Sequence, residues 1–359
     1  MKAILHIGTE KTGTTSIQEV LVLNQKHLEN NGVFLSLASG LPNNRSLVGY
    51  SMNFDANDDF FCHRKILSQK QKETFDADFI NNFDNEITSL PQNCQSVIFS
   101  SEHFSSRLKD ISEIQRLKAL LVKYFDEFNV ICYLKPQVEL SISHYSTALR
   151  IGETRCLENY LQDTLKVDNY YYDYQKIIAN WTNVFLEKNT KVQGFNKDLF
   201  LNGSLYDDFF SHIGPYIDCK KIEKSINKNT AINSIGQQLL VEYNLLSTRS
   251  ELTKNNLAKA DEVVELVEKV YAGKNTNLDV DSCIELQAKF SKMNTALEQK
   301  WGNLGLFDLN LKKENYSPKI VLDQKMKELF LGLVMQKVNK THDEPERKSL
   351  KDYLSQLFR

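Results

Sequence analysis

The stretch that decides the fold runs from Lys2 to Gln18 and reads KAILHIGTEKTGTTSIQ. Its first part is short and apolar and ends at a glycine, which is typical of a buried strand. Apolar residues at helical spacing follow, so the pattern predicts a helix that begins near Thr14. A glycine-containing turn between a strand and a helix offers backbone N–H groups to an anion, and the helix dipole adds to this attraction.

The turn differs from the phosphate loop of ATPases in the position of its lysine. That loop reads G-x-x-x-x-G-K-[ST]. Gly8 and Gly13 have the matching separation, but Thr14 stands where the lysine belongs, and Lys11 lies inside the turn. We therefore predict a phosphate-binding loop whose positive charge comes from Lys11. Its hydroxyl donors are Thr12, Thr14, Thr15 and Ser16.

Strand patterns alternate with helical patterns through the first two thirds of the chain. The strand candidates are KAILHIG, GVFLSL, SVIFSSE, FNVICYLK and TKVQGFN. This alternation predicts an α/β fold of three α/β/α layers with a central parallel sheet. Ligands of such sheets bind beyond the carboxyl ends of the strands. We expect the functional residues at the ends of the first, third and fourth strands.

The rest of the chain is predicted to be helical or irregular. From about residue 204 the patterns are mostly helical, so we predict a helical C-terminal extension. The extension has amphipathic stretches at 321–337 and 348–358, which favour a packing face or a homodimer interface. Residues 38–75 are rich in Asn, Ser, Asp and Phe without a clean period, so they are predicted to form a long functional loop or lid.

Composition excludes several classes of protein. The 359 residues carry a net charge of −2, so no basic excess indicates nucleic-acid binding. The six cysteines are scattered without a C-x-x-C pair, which argues against a zinc site and a disulfide framework. No signal peptide and no membrane-spanning run is visible, so we expect a cytoplasmic protein.

The first motif resembles the 5′-phosphosulfate-binding loop of sulfotransferases that use 3′-phosphoadenosine 5′-phosphosulfate (PAPS), in particular the bacterial, carbohydrate-type members. The family loop reads K-[TS]-G-T-T after the first strand, and Lys11 to Thr15 match it residue for residue. The likeness covers roughly residues 1–308 and is weaker after the first motif, so it implies one domain over 1–308 and leaves 309–359 as the helical extension. It implies that PAPS is bound by Gly8, Lys11, Thr12, Gly13, Thr14, Thr15 and Ser16.

The same resemblance implies a second site for the 3′-phosphate. In the family an arginine at a strand end is followed eight residues later by a serine in a helix. YLKPQVELSIS offers Lys135 and Ser143 at this spacing, with lysine in place of arginine. Lysine lacks the bidentate fork of arginine and so holds a phosphate with less geometric selectivity. Asn227 and Lys228 are weaker candidates for covering the nucleotide.

The resemblance also implies a general base and an acceptor site. In carbohydrate-type members a glutamate or histidine near the end of the third strand deprotonates the acceptor, and SVIFSSEHF places Glu102 and His103 there. We favour Glu102, because a carboxylate at a buried strand end can accept a proton when its pKa is tuned. Arg45 and Arg150 are candidates for contact with the acceptor.

The implied reaction moves a sulfuryl group from PAPS to a hydroxyl, or an amine, of a carbohydrate, without a metal. The bond between sulfur and the bridging oxygen of the 5′-phosphate breaks, and Lys11 would stabilise the charge that develops on that oxygen. The expected acceptor is a surface polysaccharide or a lipid-linked saccharide.

Two other interpretations stay open. A nucleotide kinase or NTPase would need the displaced lysine, which Thr14 replaces, and a magnesium-binding carboxylate, for which Glu102 is available. A non-catalytic nucleotide-binding scaffold would keep the loop only for its fold. The intact Lys11 and Glu102 argue against that scaffold.

Overall fold

The structure, a computed structural model, describes residues 1–214, 217–224, 231–249, 257–273, 278–309 and 323–339. The chain divides into two compact units. The first comprises Met1–Pro136, Val167–Asn227 and Phe290–Asp308, and the second comprises Gln137–Lys166, Lys228–Lys289 and Leu309–Arg359. The predicted domain boundary at residue 308 stays a prediction, and the stretch predicted as amphipathic at 348–358 lies outside the described residues.

The first unit contains a parallel sheet. Its strands are β1 (Lys2–His6), β2 (Val33–Leu35), β3 (Ser96–Ser100), β4 (Glu127–Leu134) and β5 (Thr190–Gly194). Their order across the sheet is β2-β3-β1-β4-β5, and every neighbouring pair is parallel. His6 lies opposite Ser100 in β3 and Ile131 in β4. The α/β prediction with a central parallel sheet is therefore confirmed.

Helices fill most of the remaining described chain. In chain order they are α1 (Thr14–Leu23), α2 (Gln25–Asn30), α3 (Arg45–Ser51), α4 (Asp59–His63), α5 (Gln69–Thr88), α6 (His103–Arg107), α7 (Ile111–Leu121), α8 (Gln137–Arg150), α9 (Leu157–Thr164), α10 (Tyr174–Phe185), α11 (Leu205–Ile213), α12 (Ser234–Arg249), α13 (Leu257–Val270), α14 (Val280–Ala288), α15 (Ser291–Trp301) and α16 (Gln324–Asn339). Short 3₁₀ turns occur at Glu187–Asn189, Leu201–Gly203 and Cys219–Lys221. Helices α8, α9, α12, α13, α14 and α16 belong to the second unit.

Both faces of the sheet are covered, because successive strand residues point to opposite faces and the middle residues of β1, β3 and β4 are mostly apolar. On one face, Ile4, Ile98 and Ile131 form a core cluster with residues of α1, α2 and α11. On the other face, Phe83 of α5 packs on Phe99 of β3. Helix α10 contacts both β4 and β5.

The predicted long loop over 38–75 is wrong in part, since it contains α3, α4 and the first turns of α5. Helices of seven and five residues are marginal by themselves, so a periodic sequence signal is not expected for them. Tertiary contacts hold them instead. The Asn44 side chain accepts a hydrogen bond from the backbone N–H of Ser100 at 2.6 Å, which fixes the start of α3 against β3.

The strand order defines where a ligand is expected. After β1 the chain continues to β2 at one edge of the sheet, and after β4 it continues to β5 at the other edge. The adjacent carboxyl ends of β1 and β4 are therefore a topological switch point, which is where open parallel sheets bind ligands.

Candidate functional site

The predicted phosphate loop continues β1 for three residues before it turns. The backbone N–H of Tyr133 donates to the Gly8 carbonyl at 2.7 Å, and that of Thr9 donates to the Tyr133 carbonyl at 2.9 Å. These bonds fix the start of the loop against β4. Beyond Thr9 the chain turns towards α1.

The N-terminus of α1 has no side-chain cap. Gly13 is its N-cap residue, with φ of 74°, and makes no side-chain hydrogen bond. A Cβ atom at Gly13 would lie 2.6 Å from Leu205 Cδ2 and 3.1 Å from Phe195 Cε2, and the positive φ would strain any other residue, so glycine is favoured here. The first N–H groups of a helix have no intrahelical partner, and a glycine at the N-cap offers them no side-chain acceptor. The helix end can therefore accept an anion.

The loop side chains divide into two groups. Lys11 and Thr15 are exposed and Ser16 is half-buried, so these three can reach a ligand. Thr12 is fully buried, and its hydroxyl donates to the Thr9 carbonyl at 2.6 Å. Thr14, at the position of the ATPase lysine, is also buried. The Thr12 hydroxyl proton is therefore already used within the loop.

Glu102 lies directly against this loop. It follows β3, and a Cβ atom at Gly8 would lie 3.0 Å from the Glu102 Cα. Gly8 has φ of 91° and no side chain, and both properties allow the two segments to approach. The Glu102 Oε2 accepts a hydrogen bond of 2.8 Å from Gln18 Nε2 on α1. The structure therefore brings Glu102 to the loop that carries Lys11.

Gln18 was not singled out in the sequence. It is 3% exposed, and its amide also lies 3.4 Å from the Ser100 carbonyl. The only sequence signal for its contact with Glu102 is its position one turn after Thr14 on α1. No local pattern in the sequence shows that β3 ends beside α1. Gln18 fixes the direction of the Glu102 carboxylate.

His103 begins α6 next to Glu102. Burial and the neighbouring Arg45 lower the pKa of His103, while Glu102 and Glu10 act in the opposite direction. Its imidazole is therefore neutral at neutral pH. The His103 Nδ1 is buried and makes no hydrogen bond within the described part of the chain.

Arg45, which was predicted to contact the acceptor, forms ion pairs with two residues at the start of α4. Its Nη2 lies 2.7 Å from Asp58 Oδ1 and 2.8 Å from Asp59 Oδ1. Burial raises the pKa of Asp59, but Arg45 and Arg107 outweigh burial, so the net shift is downward and Asp59 stays ionised. The charge of Arg45 is compensated by these carboxylates, and its contact with an acceptor stays a prediction.

A second arginine, Arg107 of α6, was missed in the sequence. Its Nη1 donates to the Tyr171 hydroxyl at 2.6 Å and lies 3.6 Å from Glu10 Oε1. The Tyr171 hydroxyl donates to Glu10 at 3.0 Å. Burial and Glu10 raise the pKa of Tyr171 to about 12, so this hydroxyl keeps its proton. An arginine in an irregular polar stretch carries no signal for such a contact.

The other predicted residues lie in both units. Lys135 follows β4 in the first unit and is 7% exposed, and its carbonyl accepts from the Tyr174 hydroxyl at 2.9 Å. Ser143 lies on α8 in the second unit. Arg150, on the same helix, pairs with Glu268 at 2.5 Å. Their predicted ligand contacts stay predictions, and Asn227 and Lys228 lie outside the described residues.

Two kinds of feature are absent from the described ranges. No group of three His, Cys, Asp or Glu side chains there is arranged to hold a metal ion. None of the helices described combines the length and the apolar character that crossing a membrane requires.

Comparison with known proteins gave one structural likeness. No family model matches the sequence, and no curated protein matches it. One solved structure, titled as a crystal structure of a sulfotransferase from Alicyclobacillus acidocaldarius, aligns with 85% of this chain and 98% of its own. The identity is 12% and the TM-score 0.40, so this likeness carries no argument about function.

Proposed function

We propose that this protein transfers a sulfuryl group from PAPS to a hydroxyl, or an amine, of a carbohydrate acceptor. One observation carries the proposal: Glu102 is held against Gly8, in the loop where the exposed Lys11 precedes the uncapped end of α1. A helix end that can accept an anion, a cation and a carboxylate thus follow the carboxyl ends of the neighbouring strands β1 and β3. The sequence resemblance of residues 11–15 to the sulfotransferase loop points to the same chemistry.

The donor fits the residues that are present. A 5′-phosphate would be held by the backbone N–H groups at the start of α1 and by the hydroxyls of Thr15 and Ser16. Lys135, buried at the end of β4, would face the 3′-phosphate, with Ser143 as the second contact implied by the family spacing. PAPS supplies the sulfuryl group, already activated as a mixed anhydride.

The chemical step needs a cation and a base on opposite sides of the sulfur. The bond from sulfur to the bridging phosphate oxygen breaks, a bond from sulfur to the acceptor oxygen forms, and the acceptor proton goes to Glu102. Lys11 stabilises the charge that develops on the leaving oxygen. Gln18 keeps one carboxylate oxygen of Glu102 in place through its hydrogen bond. His103, neutral at neutral pH, is the second candidate for the base.

The acceptor and the assembly belong to the proposal as well. A surface polysaccharide or a lipid-linked saccharide of a bacterium is the acceptor that the family resemblance implies. We expect it near α3 and α4, because Arg45 and Asp58 are linked to the segment that follows Glu102. A homodimer through the C-terminal helices is the proposed assembly.

Ligand binding separates this proposal from the kinase or NTPase interpretation. Thermal unfolding would be measured with adenosine 3′,5′-bisphosphate and, in parallel, with ATP and magnesium. A ligand at a hundredfold excess over its Kd stabilises the folded state by about 2.7 kcal/mol. We expect this stabilisation from the bisphosphate, and stabilisation by ATP and magnesium alone would contradict the proposal.

Transfer itself is tested with PAPS labelled in its sulfuryl group and pools of bacterial glycans. Label in a glycan, together with release of the bisphosphate, is the expected result. Donor binding without transfer to any pool would favour the non-catalytic scaffold instead.

A further inference from the structure

Arg107 joins three segments that are distant in sequence. Its Nη1 contacts Tyr171, which in turn donates to Glu10 of the phosphate loop, and its Nε lies 3.2 Å from Asp58 Oδ2 at the start of α4. Asp58 also caps α4, accepting the N–H of Phe60 at 3.0 Å. One guanidinium thus ties the loop after β1 to a helix that follows β2.

The loop needs such an anchor because it contains a carboxylate next to the lysine that meets the donor. Glu10 would repel a phosphate if its side chain turned towards the helix end. The Glu10 side chain is 20% exposed and is held by Arg107 at 3.6 Å and by Tyr171 at 3.0 Å. These contacts hold the carboxylate in one position and compensate its charge.

The anchor also bears on the direction of Lys11. Lys11 has φ of 61°, in the left-handed region that costs a non-glycine residue energy. Such a conformation persists only where neighbouring contacts hold it. Glu10 directly precedes Lys11, so holding its side chain restricts the peptide that sets the path of the lysine.

We infer that Arg107 is a positioning residue, which acts through Tyr171 and Glu10 to hold Lys11 in the orientation that transfer requires. This inference rests on the proposed function for its effect on rate. Its effect on the order of the loop is independent of that function, so the two can be tested apart.

The first test is hydrogen exchange of peptides covering residues 7–17 in Arg107→Gln and Tyr171→Phe. Tyr171→Phe removes only the hydroxyl that links Arg107 to Glu10. We therefore expect this variant to fold even if Arg107→Gln does not. Both variants are expected to exchange faster in this segment than the wild type. Arg116→Gln is the matched control, because Arg116 donates to the carbonyl of Met52 and not to the loop.

The second test is kinetic. Misplacing a catalytic group by about 1 Å costs up to about a hundredfold in rate, so kcat should fall about tenfold to a hundredfold in Tyr171→Phe. KM for PAPS should change less than threefold, because the backbone N–H groups still bind the phosphate. The double variant of Glu10→Gln and Tyr171→Phe should lose no more kcat than the more damaging of the two single variants, because both changes remove the same anchor.

Three results would decide against the inference: unchanged exchange in residues 7–17, equal acceleration in Arg116→Gln, or additive losses in the double variant. A wild-type protein that binds no bisphosphate and transfers no sulfuryl group would overturn the proposed function instead. The exchange comparison would then decide alone whether Arg107 anchors the loop.

Discussion

Lys11 is the residue on which the proposed chemistry depends most. It is exposed and lies inside the loop. In the proposed reaction its charge would stabilise an oxygen that becomes negative only as the donor bond breaks. Removing one group that stabilises such a charge costs about 10²- to 10³-fold in rate. Lys11→Ala should therefore lower kcat by this factor, while the thermal midpoint stays near that of the wild type.

Lys26→Ala is a suitable control for that measurement, because Lys26 is exposed on α2 and has no part in the proposed site. Its kcat should match the wild type. Turnover retained in Lys11→Ala would contradict the assignment of the loop lysine, and an equal loss in both variants would point to a nonspecific charge effect.

Glu102 and His103 compete for the role of base. Glu102 is oriented by Gln18, whereas the His103 Nδ1 is buried without a hydrogen bond in the described structure. We expect Glu102→Gln to lose about 10²- to 10⁴-fold in kcat, the usual contribution of a general base, with bisphosphate binding retained. His103→Gln should lose less than tenfold. The reverse order in steady-state rates would assign the base to His103.

At the scale of elements, His6 links β1 to β3 inside the sheet. Its Nδ1 lies 2.8 Å from the Ser100 hydroxyl, and burial lowers the pKa of His6 to about 3. An unfolded histidine has a pKa of about 6.5, so between these values the unfolded chain binds a proton that the folded chain does not. The stability contributed by neutral His6 is complete above about pH 6.5 and is lost as the pH falls towards 3.

The resulting prediction concerns the pH dependence of unfolding by urea. Between pH 6.5 and pH 4 the free energy of unfolding should fall more steeply in the wild type than in His6→Gln, by up to about 1.4 kcal/mol per pH unit. His63→Gln, at an exposed position on α4, should behave as the wild type. Parallel curves for the wild type and His6→Gln would show that His6 is not the group responsible.

The sequence predicted the long elements well and the short ones poorly. All five strands and the helices α1, α5, α7, α8 and α10 follow from apolar periodicity, because their buried faces are formed by residues close in the chain. Helices α3 and α4 carry no such pattern. They depend on contacts such as that of Arg45 with Asp58, which periodicity does not reveal.

At the scale of the whole molecule, α16 packs within the second unit. Phe330 is 2% exposed, and Lys327 pairs with Glu242 of α12 at 2.5 Å. This helix lies in the region predicted as a packing face or a dimer interface. If α16 is stabilised by contacts within its own chain, a buried residue of α16 should contribute to the stability of the monomer.

Two adjacent positions test that role. Phe330→Ala should lower the free energy of unfolding by about 3 kcal/mol, the usual cost of truncating a buried phenylalanine. Leu329→Ala is the control, since Leu329 is 40% exposed and should change stability by less than about 0.5 kcal/mol. Both are measured by denaturant unfolding at several protein concentrations. A stability loss that varies with concentration would assign Phe330 to an interface between copies.

The sequence by itself determined the strands, the main helices and the loop with its displaced lysine, because these depend on residues that are neighbours in the chain. Only the tertiary structure decided which residues contact the loop and α1. Gln18 donates a hydrogen bond to Glu102, and Gly8 leaves room for the Glu102 backbone. Arg107 contacts both Glu10 and Asp58. These partners are brought together by parallel strands that are separated in sequence and adjacent in space, and no local pattern encodes that adjacency.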